Sequence, residues 1–194
     1  MEVNGVKNIL KLFWAMSLIV QMKLSHAEEY NLLLLPEQYC FQAGIEKKVS
    51  DKHTLGVIGR FNCNSERPTY GSNKDDVDNK FSRILVPLKH SFNGAFNQGA
   101  FIQGMIGIED SKFKSNLGSN ADVIFLNLSV HGGYQWYFRN GFNISVLGGI
   151  AHLQKLSSSK QISGNETLSG IDFLNKNTET NTHAGAGILL GWLF

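Results

Sequence analysis

The sequence predicts an all-β chain: an eight-stranded antiparallel up-and-down transmembrane β-barrel that follows an N-terminal signal peptide. Three observations carry this. Apolar and polar residues alternate with period two along most of the chain, connections alternate between short and long, and aromatic residues gather at one end of the predicted strands. Period-two alternation marks a strand whose two faces meet different surroundings. No segment of comparable length carries the 3.6-residue apolar stripe of a helix.

The first residues read as an export signal. Lys7 and Lys11 precede or interrupt an apolar stretch from Ile9 to Met22, and Ser25-His26-Ala27 puts small residues where a signal peptidase inspects the chain. The predicted division is residues 1–27 as signal peptide and 28–194 as a single barrel domain. The apolar core is too short and too interrupted for a stable membrane helix, and no later run approaches the ~20 residues that a spanning helix needs. The signal contains three lysines and one glutamate, so the mature chain holds 15 basic and 15 acidic residues. That balance gives no electrostatic case for nucleic acid.

The strands follow in order. The first is drawn from Tyr30 to Leu35, with Pro36-Glu37-Gln38 as a short outer connection; a single bent strand running on from there is the rival reading. Tyr39, Phe41, Ala43 and Ile45 then face outward, a tight Ser50-Asp51-Lys52 turn follows, and Leu55, Val57 and Phe61 face outward on the next strand. After a polar stretch over 62–80, Ile84, Val86, Leu88 and Phe92 alternate with Arg83, Leu85, Pro87, Lys89 and Ser91. Asn93-Gly94 is a second tight turn, leading to outward Phe96, Ala100, Ile102, Ile106 and Ile108. Residues 110–122 read as another long loop. Beyond it Leu126, Leu128, Val130, Gly132, Tyr134, Trp136 and Phe138 oppose Phe125, Asn127, Ser129, His131, Gly133, Gln135 and Tyr137. An Arg139-Asn140-Gly141 turn precedes Phe142, Ile144, Val146, Gly148 and Ile150. A Ser-, Asn- and Thr-rich loop over 157–180 leads to the last strand, where Ala184, Ala186, Ile188, Leu190, Trp192 and Phe194 share one face.

Membrane barrels place short turns on the periplasmic side and long loops outside. With Phe194 periplasmic, every tight turn falls on that side. Tyr134, Trp136, Phe138, Phe142, Trp192 and Phe194 then form one arc of an interface girdle. A sandwich core would explain their shared face but not their clustering at one end. Inward charges are Glu46, Lys48, Arg60, Arg83 and Lys89. Buried charge must be paired, so a plugged lumen is expected in which Glu46 bridges Arg60 or Arg83.

Cys40 and Cys63 are the only cysteines, and an oxidising compartment would permit a disulfide. A hairpin centred on Asp51-Lys52 sets them opposite one another, yet parity turns Cys40 inward and Cys63 outward. A bulge near the outer rim reconciles the two, and bonded and free thiols both stay open. Ser129 and His131 share the inward face without an acid at matching height, so a satisfied lumen pair is preferred over a catalytic one. Asp75, Asp76 and Asp78 lack the spacing of a calcium loop and read as solvated.

The C-terminal strand, ending on an aromatic residue with apolar residues at alternate positions before it, resembles the closing strand of bacterial outer-membrane barrels. Two segments extend the likeness to small, mostly uncharacterised barrels of the OmpA, OmpX and OmpW type. One is Asn31-Leu-Leu-Leu-Leu-Pro36 with Gly44-Ile-Glu-Lys-Lys-Val-Ser50 and Leu55-Gly-Val-Ile-Gly-Arg-Phe61; the other is Gly133-Tyr-Gln-Trp-Tyr-Phe138 with Phe142 to Ile150. Ile84-Leu-Val-Pro-Leu-Lys89 is similar to the barrel strand that carries an inner proline. The resemblance implies an outer-membrane location and recognition of the strand ending at Phe194 by the barrel-assembly machinery. It brings no catalytic residue.

The expected function is therefore a structural or surface-interaction role for a monomeric barrel with a filled lumen. Its partners would be outer-membrane lipids and, through the loops, host or cell-surface ligands. No cofactor, metal or enzymatic activity is expected. The alternatives are a lipid-modifying barrel enzyme, a narrow solute channel and a secreted β-sandwich.

Overall fold

The computed structural model describes residues 30–37, 40–64, 77–115, 117–164, 175 and 178–194. The predicted signal peptide and the aspartates at 75 and 76 lie outside them, as does the side chain of Asp78. Eight strands follow one another: β1 (Tyr30–Glu37), β2 (Cys40–Lys48), β3 (His53–Asn64), β4 (Val77–Ser91), β5 (Gly99–Ser115), β6 (Asn120–Tyr137), β7 (Phe142–Gln161) and β8 (Asn181–Leu193). Each pairs antiparallel with the next, and β8 returns to β1 through Asn31↔Leu193 to Leu34↔Leu190, closing the ring. The chain is an up-and-down β-barrel, with β1 and β2 as two separate strands rather than one bent one.

Parity holds along the wall. Ile84, Val86 and Leu88 of β4, Ile102, Ile106 and Ile108 of β5, and Leu128 and Val130 of β6 are exposed on the outside. Leu85, Lys89, Gln103, Glu109, Asn127 and Ser129 are buried toward the axis. Closure leaves no strand without a neighbour on either side, although β8 meets β1 only from Leu190 to Leu193. Pro87, which lacks a backbone donor, sits between the β3–β4 pairs Leu55↔Leu88 and Ile58↔Leu85, where the ladder is interrupted. Gly56 makes room for it, since a Cβ there would stand 2.6 Å from the Ile45 carbonyl oxygen and 3.2 Å from Pro87 Cγ.

The end that holds Tyr30, Phe194 and the β2–β3, β4–β5 and β6–β7 connections is called the near rim; the opposite end is the far rim. At the near rim, Asn93-Gly94 is not a two-residue hairpin. The connection runs over 92–98, with Asn93 Nδ2 donating to the Gln98 carbonyl and Asn97 Nδ2 to the Asn93 carbonyl, both at 3.0 Å. Gly94 (φ 105°) supplies the left-handed step. Phe96 also has positive φ, 58°, a conformation that costs a bulky residue of the order of 1–2 kcal/mol. Burial of its ring beside Tyr137 offsets that cost, so Phe96 faces the barrel end and not the outside as its parity predicts. The Asp51 carbonyl accepts from Ala95 N (2.6 Å) and the Lys52 carbonyl from Ser91 N (2.8 Å), tying this connection to the β2–β3 turn.

At the far rim, the long loop expected over 110–122 is mostly strand. β5 runs to Ser115, β6 starts at Asn120, and Ser115 N donates to the Ser119 carbonyl at 2.8 Å. Alternation continues there, with Glu109, Ser111, Phe113 and Ser115 buried inward. Asp110, Lys112 and Lys114 on the outward face give the segment the composition of a loop. The other two long far-rim connections begin and end close to where composition sets them, after Asn64 and Gln161.

Candidate functional site

The lumen is built in levels. Nearest the near rim lies a closed circuit of hydrogen bonds. Asn31 Nδ2 donates to Glu46 Oε2 (3.5 Å), and Lys89 Nζ donates to the same oxygen (2.6 Å) and to Gln135 Oε1 (3.2 Å). Gln135 Nε2 donates to Asn143 Oδ1 (3.0 Å), and Asn143 Nδ2 returns to Asn31 Oδ1 (2.8 Å). The five residues come from β1, β2, β4, β6 and β7, and none is more than 3% exposed. Lys89 Nζ also stands 5.5 Å from the centre of the Phe101 ring. A buried ion pair holds only when additional hydrogen bonds replace the lost water, and here three amides complete the shell. The result is a plug across the barrel.

Above it sits an apolar level of Leu33, Ile58 and Leu85, with Met105 packed against them. Next come charges. Arg83 Nη1 is 3.7 Å from Glu109 Oε2, Arg60 registers opposite Arg83, and both guanidiniums lie over the Phe81 ring at 5.4 and 5.6 Å. A second apolar cluster, Phe113, Ala121, Val123, Phe125 and Leu153, fills the β5–β7 side toward the far rim.

The expected charge network is thus redistributed. Glu46 bridges Lys89, not Arg60 or Arg83, because Lys89 shares its level while the arginines stand nearer the far rim. Arg83 pairs instead with Glu109, which extending the outward Ile102–Ile106–Ile108 parity of the same strand would have turned inward. Lys48 faces away from the plug: its side chain is 39% exposed and 3.3 Å from Asp51 in the near-rim turn. Asn31, Gln135 and Asn143 were legible as inward positions but not as members of a circuit, since which amide meets which depends on strand stagger.

Outside the near rim the aromatic residues meet. Tyr30 stacks with Phe194 at 6.1 Å, Trp192 meets Phe142 at 6.1 Å, Phe142 meets Phe138 at 5.7 Å, and Tyr134 meets Trp136 at 4.8 Å. His53, His90 and Phe92 continue the arc on β3 and β4, with His53 Nε2 and His90 Nδ1 3.0 Å apart. Composition gave no cue that the two histidines belong to it.

Ser129 Oγ has no hydrogen-bond partner, so Ser129 and His131 do not form a Ser–His couple. The side chains of Cys40 and Cys63 lie outside the described residues. Their strand positions do bear on the pairing: Phe41 registers with Phe61, one step short of setting Cys40 opposite Cys63. The bulge invoked to reconcile their parity is present between Arg60 and Cys63 on the β4 side.

The chain matches no family model, no curated protein and no solved structure.

Proposed function

We propose that the protein is an outer-membrane β-barrel, held in lipid by its outer wall, closed by its plug, and acting at the cell surface through its far-rim connections. The observation that carries this is the distribution of polarity: the outside of the closed ring is apolar and exposed, while the buried charges and amides lie inside it, between two apolar clusters. Soluble monomers rarely expose contiguous apolar patches beyond a few hundred Å². Outward apolar positions such as Ile144 to Ile150 and Ala100 to Ile108 give a band roughly 15–20 Å tall at ordinary strand rise and tilt. The near-rim aromatics suit the water–lipid boundary. Acyl chains would fill the shallow trough over Gly104 between Leu88, Ile106 and Val130 on the outer wall.

In this reading the strand ending at Phe194 is what the assembly machinery recognises, and the working form is a monomer. The closed circuit at the near rim favours this role over a solute channel. Membrane fractionation followed by a gel of unheated and heated samples tests the proposal. The protein is expected in the outer-membrane fraction, migrating faster before heating. A mature chain that stays monomeric and folded in buffer without any amphiphile overturns it.

A further inference from the structure

On the outer face at the near rim, two histidines meet across neighbouring strands. His53 opens β3, His90 is the penultimate residue of β4, and the two are registered partners. Both are half-buried. The next pair on the same face, Leu55↔Leu88, already belongs to the exposed apolar wall. The histidines therefore stand where that wall gives way to the near-rim turns. Their backbone is held on both sides. Thr54↔Lys89 follows them in the ladder, and toward the rim Ser91 N donates to the Lys52 carbonyl at 2.8 Å and Ala95 N to the Asp51 carbonyl at 2.6 Å.

The geometry of the pair is specific. His53 Nε2 and His90 Nδ1 are 3.0 Å apart, and the ring centres are 4.8 Å apart with the planes tilted by 54°. Two nitrogens at that separation, each about 2.0–2.1 Å from one metal ion, subtend an angle of about 95° at it. That is the cis angle of a square-planar or octahedral ion, whereas a tetrahedral ion holds its nitrogens about 3.3–3.4 Å apart. Two imidazoles bound cis in this way have ring centres about 4.7 Å apart, and an end-to-end N–H···N pair has them about 5.3 Å apart. The observed 4.8 Å lies with the first. Ser50 Oγ stands 2.8 Å from His53 Nδ1. When it accepts the Nδ1 proton, the Nε2 lone pair of His53 is turned to His90, the way an outer partner fixes the tautomer of a metal-binding imidazole. His90 offers Nδ1 as its Nε2–H tautomer, so a neutral pair takes up an ion without losing a proton.

We infer that His53 and His90 form a binding site for a divalent transition metal of square-planar or octahedral preference, copper(II) ahead of nickel(II), with water in the remaining positions. Among the described residues no group of three or more histidine, cysteine, aspartate or glutamate side chains is placed to hold a metal, so this is a site of two protein ligands. Copper stands first because affinity at nitrogen sites rises along the divalent series to copper and falls at zinc. The inference goes beyond the barrel reading and needs only the pairing of β3 with β4. The ligands are 37 positions apart in the chain, and no ligand spacing in the sequence announces them.

The test uses the full mature chain folded in detergent micelles, titrated by calorimetry with copper(II), nickel(II) and zinc(II) chloride in turn. Electron paramagnetic resonance is recorded on the copper sample, and circular dichroism checks the fold of every variant. His53→Gln combined with His90→Gln sets the background from the amino terminus and the other histidines. One saturable copper above that background is expected, with hyperfine structure from two imidazole nitrogens, and with nickel and zinc bound more weakly. His53→Gln and His90→Gln should each weaken copper binding at least about tenfold, and Ser50→Ala up to about tenfold through the lost orientation of His53. His152→Ala should leave it unchanged. If one single histidine variant does not fold, the other decides. Copper bound no more tightly by the wild type than by the double variant, or equally well by a folded single variant, overturns the site. Zinc bound more tightly than copper overturns the choice of ion. A copper site in a chain that shows no heat shift upholds this inference and removes the barrel reading.

Discussion

The two halves of the lumen solve the same problem differently. Near the closed end, Asn31, Glu46, Lys89, Gln135 and Asn143 satisfy one another in a closed, buried circuit. Toward the far rim, aromatic and aliphatic side chains fill one flank, while Gln103, Asn127 and Ser129 keep buried polar atoms that have no hydrogen-bond partner. One fully bonded level lies across the lumen at the near rim, and the remaining length holds two apolar clusters and the Arg83–Glu109 pair.

The contrast can be broken or sharpened by substitution. The largest effect is expected for Lys89→Met, which strands the Glu46 carboxylate in the interior and should cost about 3–5 kcal/mol in urea unfolding from micelles. Adding Glu46→Gln to it should restore part of that loss. If Lys89→Met is neutral, the plug does not hold the fold. Leu153→Ala, in the apolar flank, should cost about 3 kcal/mol through the cavity it leaves. Asn143→Ala removes one link of the circuit and orphans the Gln135 amide, with an expected loss of about 1–3 kcal/mol. In planar bilayers the same Asn143→Ala protein, combined with Glu46→Ala and Lys89→Ala, should pass ions in steps where the parent is silent. A silent triple variant would place the seal elsewhere, at the 92–98 connection. Phe142→Leu, which breaks the contact with Trp192 and Phe138, should cost about 1 kcal/mol and leave conductance unchanged.

Much of this architecture was legible before any coordinates. Parity alone assigned the faces of β4, β6 and β7, because a half-apolar strand cannot slip by one residue without exchanging its two environments. What failed has physical causes. The hairpin arm over 110–122 has the composition of a loop because Asp110, Lys112 and Lys114 make its outward side polar. Phe96 broke parity because a left-handed residue in a connection obeys no strand pattern. The pairing of Glu46 could not be read from facing alone, since two inward charges meet only if strand stagger brings them to one level. Asn127, Gln103 and Ser129 were visible as inward polar residues, but nothing in their order says that they lack partners.

The join between the first and last strands has a consequence for how the molecule comes into being. It spans only Asn31↔Leu193 to Leu34↔Leu190, with Tyr30 and Phe194 exchanging backbone hydrogen bonds at 3.2 and 2.9 Å. Residues at opposite ends of the chain must meet there, the slowest kind of contact to make. The ring therefore cannot shut before the strand that carries Phe194 is in place. Until then the unfinished sheet carries two raw margins, each able to capture another chain. Loss of the last three residues should thus be felt less as a missing anchor than as a wall that never locks.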